Sequence, residues 1–332
     1  MALTPDGAGN GTDGKAHRDR LIKLLARGPK RPSELSGRAR LRAFGRTFYE
    51  LVGDDLTDRA ATLTYYSIFA IFPGLLVLVA SVGLLGRPAT RAVLEGIGSM
   101  TFGPTQQIFA DGMVNLQDSR KEAGIVAVAG LVIAFWSATG YVGAFMRAAN
   151  AIYEVPEGRP LWKTLPVRLV ITAITGLVLA LSASAIVFTG RLAVQIGRAL
   201  GMSDERVRLF ELMKWPLLVL VFALLMALLY WSAPNAQQGG FRWITPGSVL
   251  ATLVWLLVSG GFAFYLSRFD SFDRTYGALG GVVIFLVWIW LTNVAVLLGA
   301  EFDAELARAR AIAAGLPEDE APYVPMRDVP QP

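Results

Sequence analysis

Six stretches of this chain run for more than twenty residues without a single Asp, Glu, Lys or Arg: Ala60 to Leu85, Ala123 to Met146, Leu169 to Gly190, Trp215 to Phe241, Trp243 to Ser267 and Thr275 to Ala300. A helix needs roughly 20 apolar residues to cross the hydrocarbon core of a bilayer, so each stretch is long enough to span once. A charge at the centre of such a helix costs about 2.5 to 3.5 kcal/mol on insertion scales, which is why six charge-free runs are not an accident of composition. A large soluble helical core would show polar faces at helical spacing, and Leu75 to Val82 and Val282 to Trp290 show none. A content of 54% hydrophobic and 17% charged residues agrees. The expected fold is an all-α membrane protein, a bundle of six transmembrane helices with spans near 60–85, 123–146, 168–190, 215–232, 246–267 and 277–300.

The flanking segments divide the chain further. Residues 1–35 are rich in Gly, Pro, Asp and Arg, with few apolar residues, and are expected to be a disordered basic tail. No apolar stretch follows the basic N-terminus as in a cleaved signal peptide, so the first span is expected to serve as the insertion signal. Over residues 36–56, Leu41, Phe44, Phe48 and Leu51 recur at spacings of three or four, with Arg38, Arg40, Arg42 and Arg46 at other positions. This predicts an N-terminal amphipathic cytoplasmic helix. It lies either at the headgroup level, where the arginines contact anionic lipid, or packed on the ends of the bundle. Residues 57–306 form the transmembrane domain, and 307–332 a polar tail, disordered from Leu316. Twelve Lys and Arg residues precede residue 60, which places the N-terminus in the cytoplasm, and six spans return the C-terminus to the same side. The segment from Arg191 to Lys214, with five basic residues, fits that orientation less well. In the outside loops, near-helical spacing in Gly86 to Glu122 and the Ser203, Asp204, Glu205 start signal predict short helices.

The inventory of chemistry-bearing groups is thin. There is no cysteine, and the one histidine, His17, lies in the tail. Metal-dependent hydrolysis needs several His, Asp and Glu ligands in one pocket, and no phosphate-cradling Gly-Lys-Ser or Gly-Lys-Thr loop is present. The expectation is no enzyme activity, no cofactor and no metal, with membrane lipids rather than nucleic acid as partners of the basic N-terminus. Attention then falls on polar residues inside the spans, which are costly in lipid and face the bundle interior or a water-filled cavity. Tyr65 and Tyr66 open the first span and Pro73 interrupts it, either kinking the helix for packing or freeing a carbonyl for a ligand. Ser137 and Thr139 can satisfy themselves on backbone carbonyls. Asn293 needs a partner on another helix and serves packing or transport equally well. Gly277 and Gly281 form a small-xxx-small pair. Glu301, Asp303 and Glu305 either pair with cytoplasmic arginines or form a solvated helix end.

Three stretches together carry a resemblance: DDLTDRAATLTYYSIFAIFPGLL, ANAIYEVPE, and the run from YWSAPN through FDRTYGALGGVVIFLVWIWLTNVAVLLGAEFDAEL. They resemble the YihY/virulence factor BrkB family of bacterial inner membrane proteins, over roughly Phe44 to Leu306. The third stretch is the most specific, combining Pro234, Asn235, Tyr276, Gly277, Leu279, Gly299, Ala300 and Glu301. The resemblance implies a six-helix plasma membrane protein with cytoplasmic termini. It adds Asn150, Asn235, Tyr276 and Glu301 to Tyr65, Tyr66, Pro73, Gly277 and Asn293 as path or structural-motif residues. Members have been labelled ribonuclease BN, which the residue inventory argues against, and part of the wider family is linked to envelope lipid export. The resulting expectation is a transporter or flippase-like protein handling a lipid-linked or amphiphilic envelope molecule, with a homo-oligomer left open. The alternative is a membrane scaffold that moves nothing.

Overall fold

The computed structural model describes residues 11–53, 55–84, 120–187, 203–238, 244–268 and 272–330. Eight α-helices occupy them: α1 (Gly11–Leu25), α2 (Gly37–Gly53), α3 (Leu56–Leu84), α4 (Arg120–Ile152), α5 (Leu161–Val187), α6 (Asp204–Ser232), α7 (Pro246–Arg268) and α8 (Phe272–Ala313). Among the described residues there is no strand, only an isolated antiparallel bridge between Ala236 and Met326. Five helices are long and apolar enough to cross a membrane, over Val128–Ile152, Leu161–Ala183, Asp204–Ser232, Pro246–Leu266 and Gly280–Ala313. The first apolar run lies on α3, where several side chains, Pro73 among them, fall outside the described residues.

Local signals set the helix ends. Ser203 caps α6, its hydroxyl accepting from the Arg206 N–H, with Asp204 and Glu205 in the first turn where the dipole favours them. The short helix expected there is instead the beginning of one continuous α6, which runs on through Pro216 although that residue has no N–H to give the backbone ladder. The segment 86–119 lies outside the described residues. At α7, Thr245 and Ser248 bond reciprocally to each other's backbone N–H (3.0 Å each), a capping box with Pro246 at the first helical position. The α4 end closes by a left-handed Glu154 (φ 51°), with Val155 N–H on the Asn150 carbonyl and Glu154 N–H on that of Ala151.

The described parts of both terminal segments, 11–35 and 316–330, expected to be disordered, are ordered in the structure, and the rest of each lies outside the described residues. Leu21 of α1 is fully buried, with Leu24 and Leu25 beside it, an apolar stripe that the mean composition of residues 1–35 conceals. Beyond α8, Gly315 (φ 104°) turns the chain back by the same cap geometry as at α4, and Leu316 docks into the core. The segment that follows crosses the bundle end as a strap in which Tyr323, Val324 and Met326 are buried and Val329 is partly so. His17 reaches the Pro322 carbonyl (3.1 Å) and Arg20 pairs with Glu320 (2.8 Å), so the two terminal segments meet. The end of α4, the start of α5, the end of α6 and the start of α7 lie at this same end.

α2 packs on the projecting part of α8: Ala43 sits with Leu35 and Leu306, Phe44 meets Phe302 edge-on, and Arg46 pairs with Glu305 (3.3 Å). Its other face leaves Leu41, Phe48 and Tyr49 exposed, with Phe44 half-exposed at the edge of the contact and Arg38, Arg40 and Arg42 exposed beside them.

Candidate functional site

The sequence-selected residues separate into two polar clusters at different depths. The deeper one joins three helices. Asn293 of α8 donates from Nδ2 to the Thr64 hydroxyl of α3 (3.1 Å), and its Oδ1 accepts from the Tyr141 hydroxyl of α4 (3.0 Å). Thr64 in turn donates to the Ala60 carbonyl (2.7 Å), so the chain of bonds ends on the α3 backbone. Tyr66 lies flat against Gly140, where a Cβ would come within 2.9 Å of its ring, and this fixes the α3–α4 approach. Tyr65 points outward, more than half exposed beside Phe69. The side chains of Pro73, Tyr276 and Gly277 lie outside the described residues. Gly281 has open space where a Cβ would sit, whereas Gly299 of α8 lies against Gly247 and Ala251 of α7 and the Tyr230 hydroxyl. The close helix approach therefore falls at Gly247 and Gly299.

The second cluster ties together the end that carries both termini. Asn235 is fully buried and bonds on every side. Its backbone N–H donates to Asn150 Oδ1 (2.6 Å), and its Nδ2 donates to the carbonyls of Pro156 (2.9 Å) and Asp328 (2.8 Å). Its Oδ1 accepts from the Asp328 N–H (3.1 Å). Asn150 passes the network on through Nδ2 to Glu157 Oε2 (2.9 Å), and Arg159 clasps both oxygens of Glu157 (2.8 Å each) while donating to the Ala233 carbonyl. Burial alone would raise the Glu157 carboxyl, but the hydrogen bonds from the Arg159 side chain and backbone and from Asn150 hold it below the ordinary glutamate range. For the Arg327 guanidinium, burial and then the neighbouring Arg159 work in the opposite sense, lowering its value. Two asparagines that a motif brought to notice are thus joints between the α4–α5 turn, the α6–α7 turn and the strap.

The acidic run after the last span is not a solvated helix end. Glu301 is buried, Asp303 accepts from the Gly247 N–H (2.8 Å) at the start of α7, and Glu305 pairs with Arg46. Beside Asp303 a cavity of about 480 Å³ opens between the N-terminal segment and the bundle. Lys30, Arg31 and Arg310 supply its cations against the carboxylate of Asp303, Gln238 and Tyr153 its neutral polar groups, and Leu25 with its neighbours an apolar wall. Among the described residues no three His, Asp or Glu side chains converge as a metal site would require.

Sequence reasoning missed the polar groups of α5. Arg168, Thr172 and Thr175 stack along one face, and Arg168 rests against Gly143 of α4. A search for charge-free runs discards such a residue by construction, since Arg168 stands immediately before Leu169, where the third run was taken to begin.

An all-helical bundle with apolar surfaces and polar joints buried between helices defines the class: this is a polytopic membrane protein. The family follows from comparison. The model of the virulence factor BrkB family matches residues 47–322, and the chain belongs to that family, as its three quoted stretches led us to expect. It is 27% identical to the ribonuclease-like protein YfkH of Bacillus subtilis over 272 residues, 80% of this chain and 94% of that protein. It is 30% identical over 279 residues, 83% of this chain, to UPF0761 membrane proteins of Xanthomonas campestris and Xanthomonas axonopodis, spanning 63% and 64% of their respective lengths. The chain thus covers less than two thirds of these Xanthomonas relatives. No solved structure matches it.

Proposed function

We propose that this protein is a six-span bacterial plasma membrane protein, with both termini cytoplasmic, that moves or flips an anionic amphiphile of the envelope. The observation that carries the reading is the cavity at the terminal end, whose lining combines cations with an apolar wall as an amphiphile with a charged head requires. Parity supports the topology: both terminal segments meet at one end, which needs an even number of crossings, and α3 adds a sixth to the five apolar helices. The excess of basic residues before residue 60 supports a cytoplasmic placing of that end. The exposed apolar face of α2, flanked by Arg38, Arg40 and Arg42, suits an interfacial helix on the inner leaflet.

The test is lipid movement in vesicles of bacterial lipid extract, followed with a fluorescent phosphatidylglycerol. We expect protein-dependent movement that slows severalfold in Lys30→Ala/Arg31→Ala, both residues being exposed and replaceable without loss of fold. Absence of movement under every ion gradient would sink the transport reading. A scaffold is the second reading, favoured by the mutual satisfaction of the Asn293 and Asn235 clusters, and it predicts one recurrent crosslinked partner with lipid flux indifferent to the protein. The name of the Bacillus relative invites a nuclease reading, for which metal-dependent RNA cleavage by the purified protein is the check, and we expect none.

A further inference from the structure

Five helical threonine hydroxyls satisfy themselves on the carbonyl four residues back, Thr47, Thr64, Thr139, Thr252 and Thr292, at 2.7–2.9 Å, and Thr164 of α5 does so three residues back. Thr172 and Thr175 of α5 do not. Their hydroxyls are shut away from solvent with no hydrogen-bond partner. Arg168 lies one turn before Thr172, its Nε also buried and unbonded, as is the Nε of Arg18 and Arg308 elsewhere. Thr172 is 3% exposed. Arg168 has no ion pair among the described residues. The positions i, i+4 and i+7 place the three on one stripe, and Gly143 on α4 leaves room for the guanidinium.

A buried polar group without a partner costs about 1–3 kcal/mol, and the half-buried Arg168 places a cation beside the two hydroxyls, so the stripe suits something polar and anionic. Arg168 lies seven residues past the start of α5, about 10 Å along the helix, and Thr175 about 10 Å deeper. Leu161 and Trp162 are exposed before it, as interfacial anchors are, and Leu165, Leu169 and Val170 are exposed around it. Where α4 and α5 part, a ligand meets a cation and then two hydroxyls, with apolar surface alongside, which is the chemistry of a lipid phosphate rather than of the free anion. The guanidinium fork fits phosphate oxygens in pairs.

We propose that Arg168, Thr172 and Thr175 receive the phosphate of an anionic lipid from the leaflet on the terminal side, at the seam between α4 and α5. The assignment rests on the reading that the protein handles an anionic lipid, but its test is binding alone. Full-length protein is placed in phosphatidylcholine nanodiscs containing a minority of phosphatidylglycerol, and retained lipid is counted by native mass spectrometry. Wild type should retain phosphatidylglycerol in preference to phosphatidylcholine. Arg168→Gln should weaken that preference about tenfold, the loss of one charge-assisted contact. Arg168→Lys should keep part of it, and Thr172→Val/Thr175→Val should fall between. Melting midpoints of the same samples establish that each variant is folded, and Arg168→Lys remains informative should Arg168→Gln fail to fold. Equal retention by wild type and a folded Arg168→Gln overturns the assignment. So does displacement of the lipid by inorganic phosphate at matched concentration, which would make the free anion the ligand. Retention as expected without lipid movement in vesicles would instead remove the transport reading and leave this site standing.

Discussion

Asn235→Ala isolates the joint that holds the terminal end together. The substitution removes a carboxamide that makes three bonds to backbone groups of two other segments, leaving the Pro156 and Asp328 carbonyls and the Asp328 N–H without their partner. Of these the orphaned N–H is the most costly, since a carbonyl keeps a second lone pair, and the sum is about 3 kcal/mol. For a chain of this size that lowers the melting midpoint by about 5 °C. The measurement is the surviving folded fraction of detergent-solubilised protein after heating, read by size-exclusion chromatography. Asn235→Leu separates bonding from bulk: it restores volume but no bond, and should melt as low as the alanine variant. Because Asn235 tethers Asp328, trypsin should also cut after Arg327 faster in both variants than in the parent. An alanine variant melting within about a degree of the parent, or full recovery by leucine, would refute the reading of Asn235 as a hydrogen-bonded joint.

Acid should loosen the same end. The Glu157 carboxyl is held below its ordinary range in the folded protein, so its contribution is present above the unfolded titration range and disappears as pH falls through the folded value. The melting midpoint should drop on acidification below the ordinary glutamate range, and Glu157→Gln should flatten that drop. Asn293→Leu removes two interhelical bonds worth about 0.6 kcal/mol each, so only a small fall in midpoint is expected, and a collapse of folding would mean that the cluster bears more than its bonds. Gly299→Ala forces a Cβ to 2.5 Å from the Gly247 carbonyl and the Tyr230 hydroxyl and 2.7 Å from Ala251 Cβ, an overpacking cost of about 1–3 kcal/mol or more. Gly281→Ala, with open space at its Cβ, should melt at or above the parent in the same assay.

The bundle was legible because its signal is long and redundant: a span is twenty or more residues of one chemistry, and no local exception erases it. The family was legible from short stretches, and the structure gives a physical reason for part of them, since Asn150, Asn235, Gly299 and Glu301 are all buried where segments join. What they do there was not legible, because a buried asparagine looks the same in sequence whether it lines a path or closes a joint. The terminal segments were misjudged for a related reason. Mean composition weighs Leu21, Leu316, Tyr323, Val324 and Met326 against many polar neighbours, whereas folding depends on whether those few residues find a prepared surface. Such a surface exists at the bundle end, and no local pattern announces it. The α5 stripe escaped notice because threonines in an apolar run are ordinarily silent, and only the failure of Thr172 and Thr175 to bond backward distinguishes them.

The distribution of satisfied and unsatisfied polar groups separates a fixed part of the molecule from a part that can give. At the terminal end a dense set of bonds ties segments together: Asn150, Glu157 and Arg159 fasten the α4–α5 turn to the end of α6, and Lys163 of α5 reaches Asp328 (2.6 Å). On α4 nearly every residue from Val142 to Asn150 is buried, but among the described residues of α5 only Thr164, Ile171 and Thr172 are. Local opening costs least where few apolar contacts are lost, so the α4–α5 seam is a cheap place for this bundle to part while its base stays closed. That seam also carries the Thr172 and Thr175 hydroxyls, the two buried hydroxyls without a hydrogen bond among the described residues, with Arg168 one turn before them. The arginine Nε atoms without a bond at the terminal end, on Arg18 and Arg308, sit instead at the base that the ion pairs close.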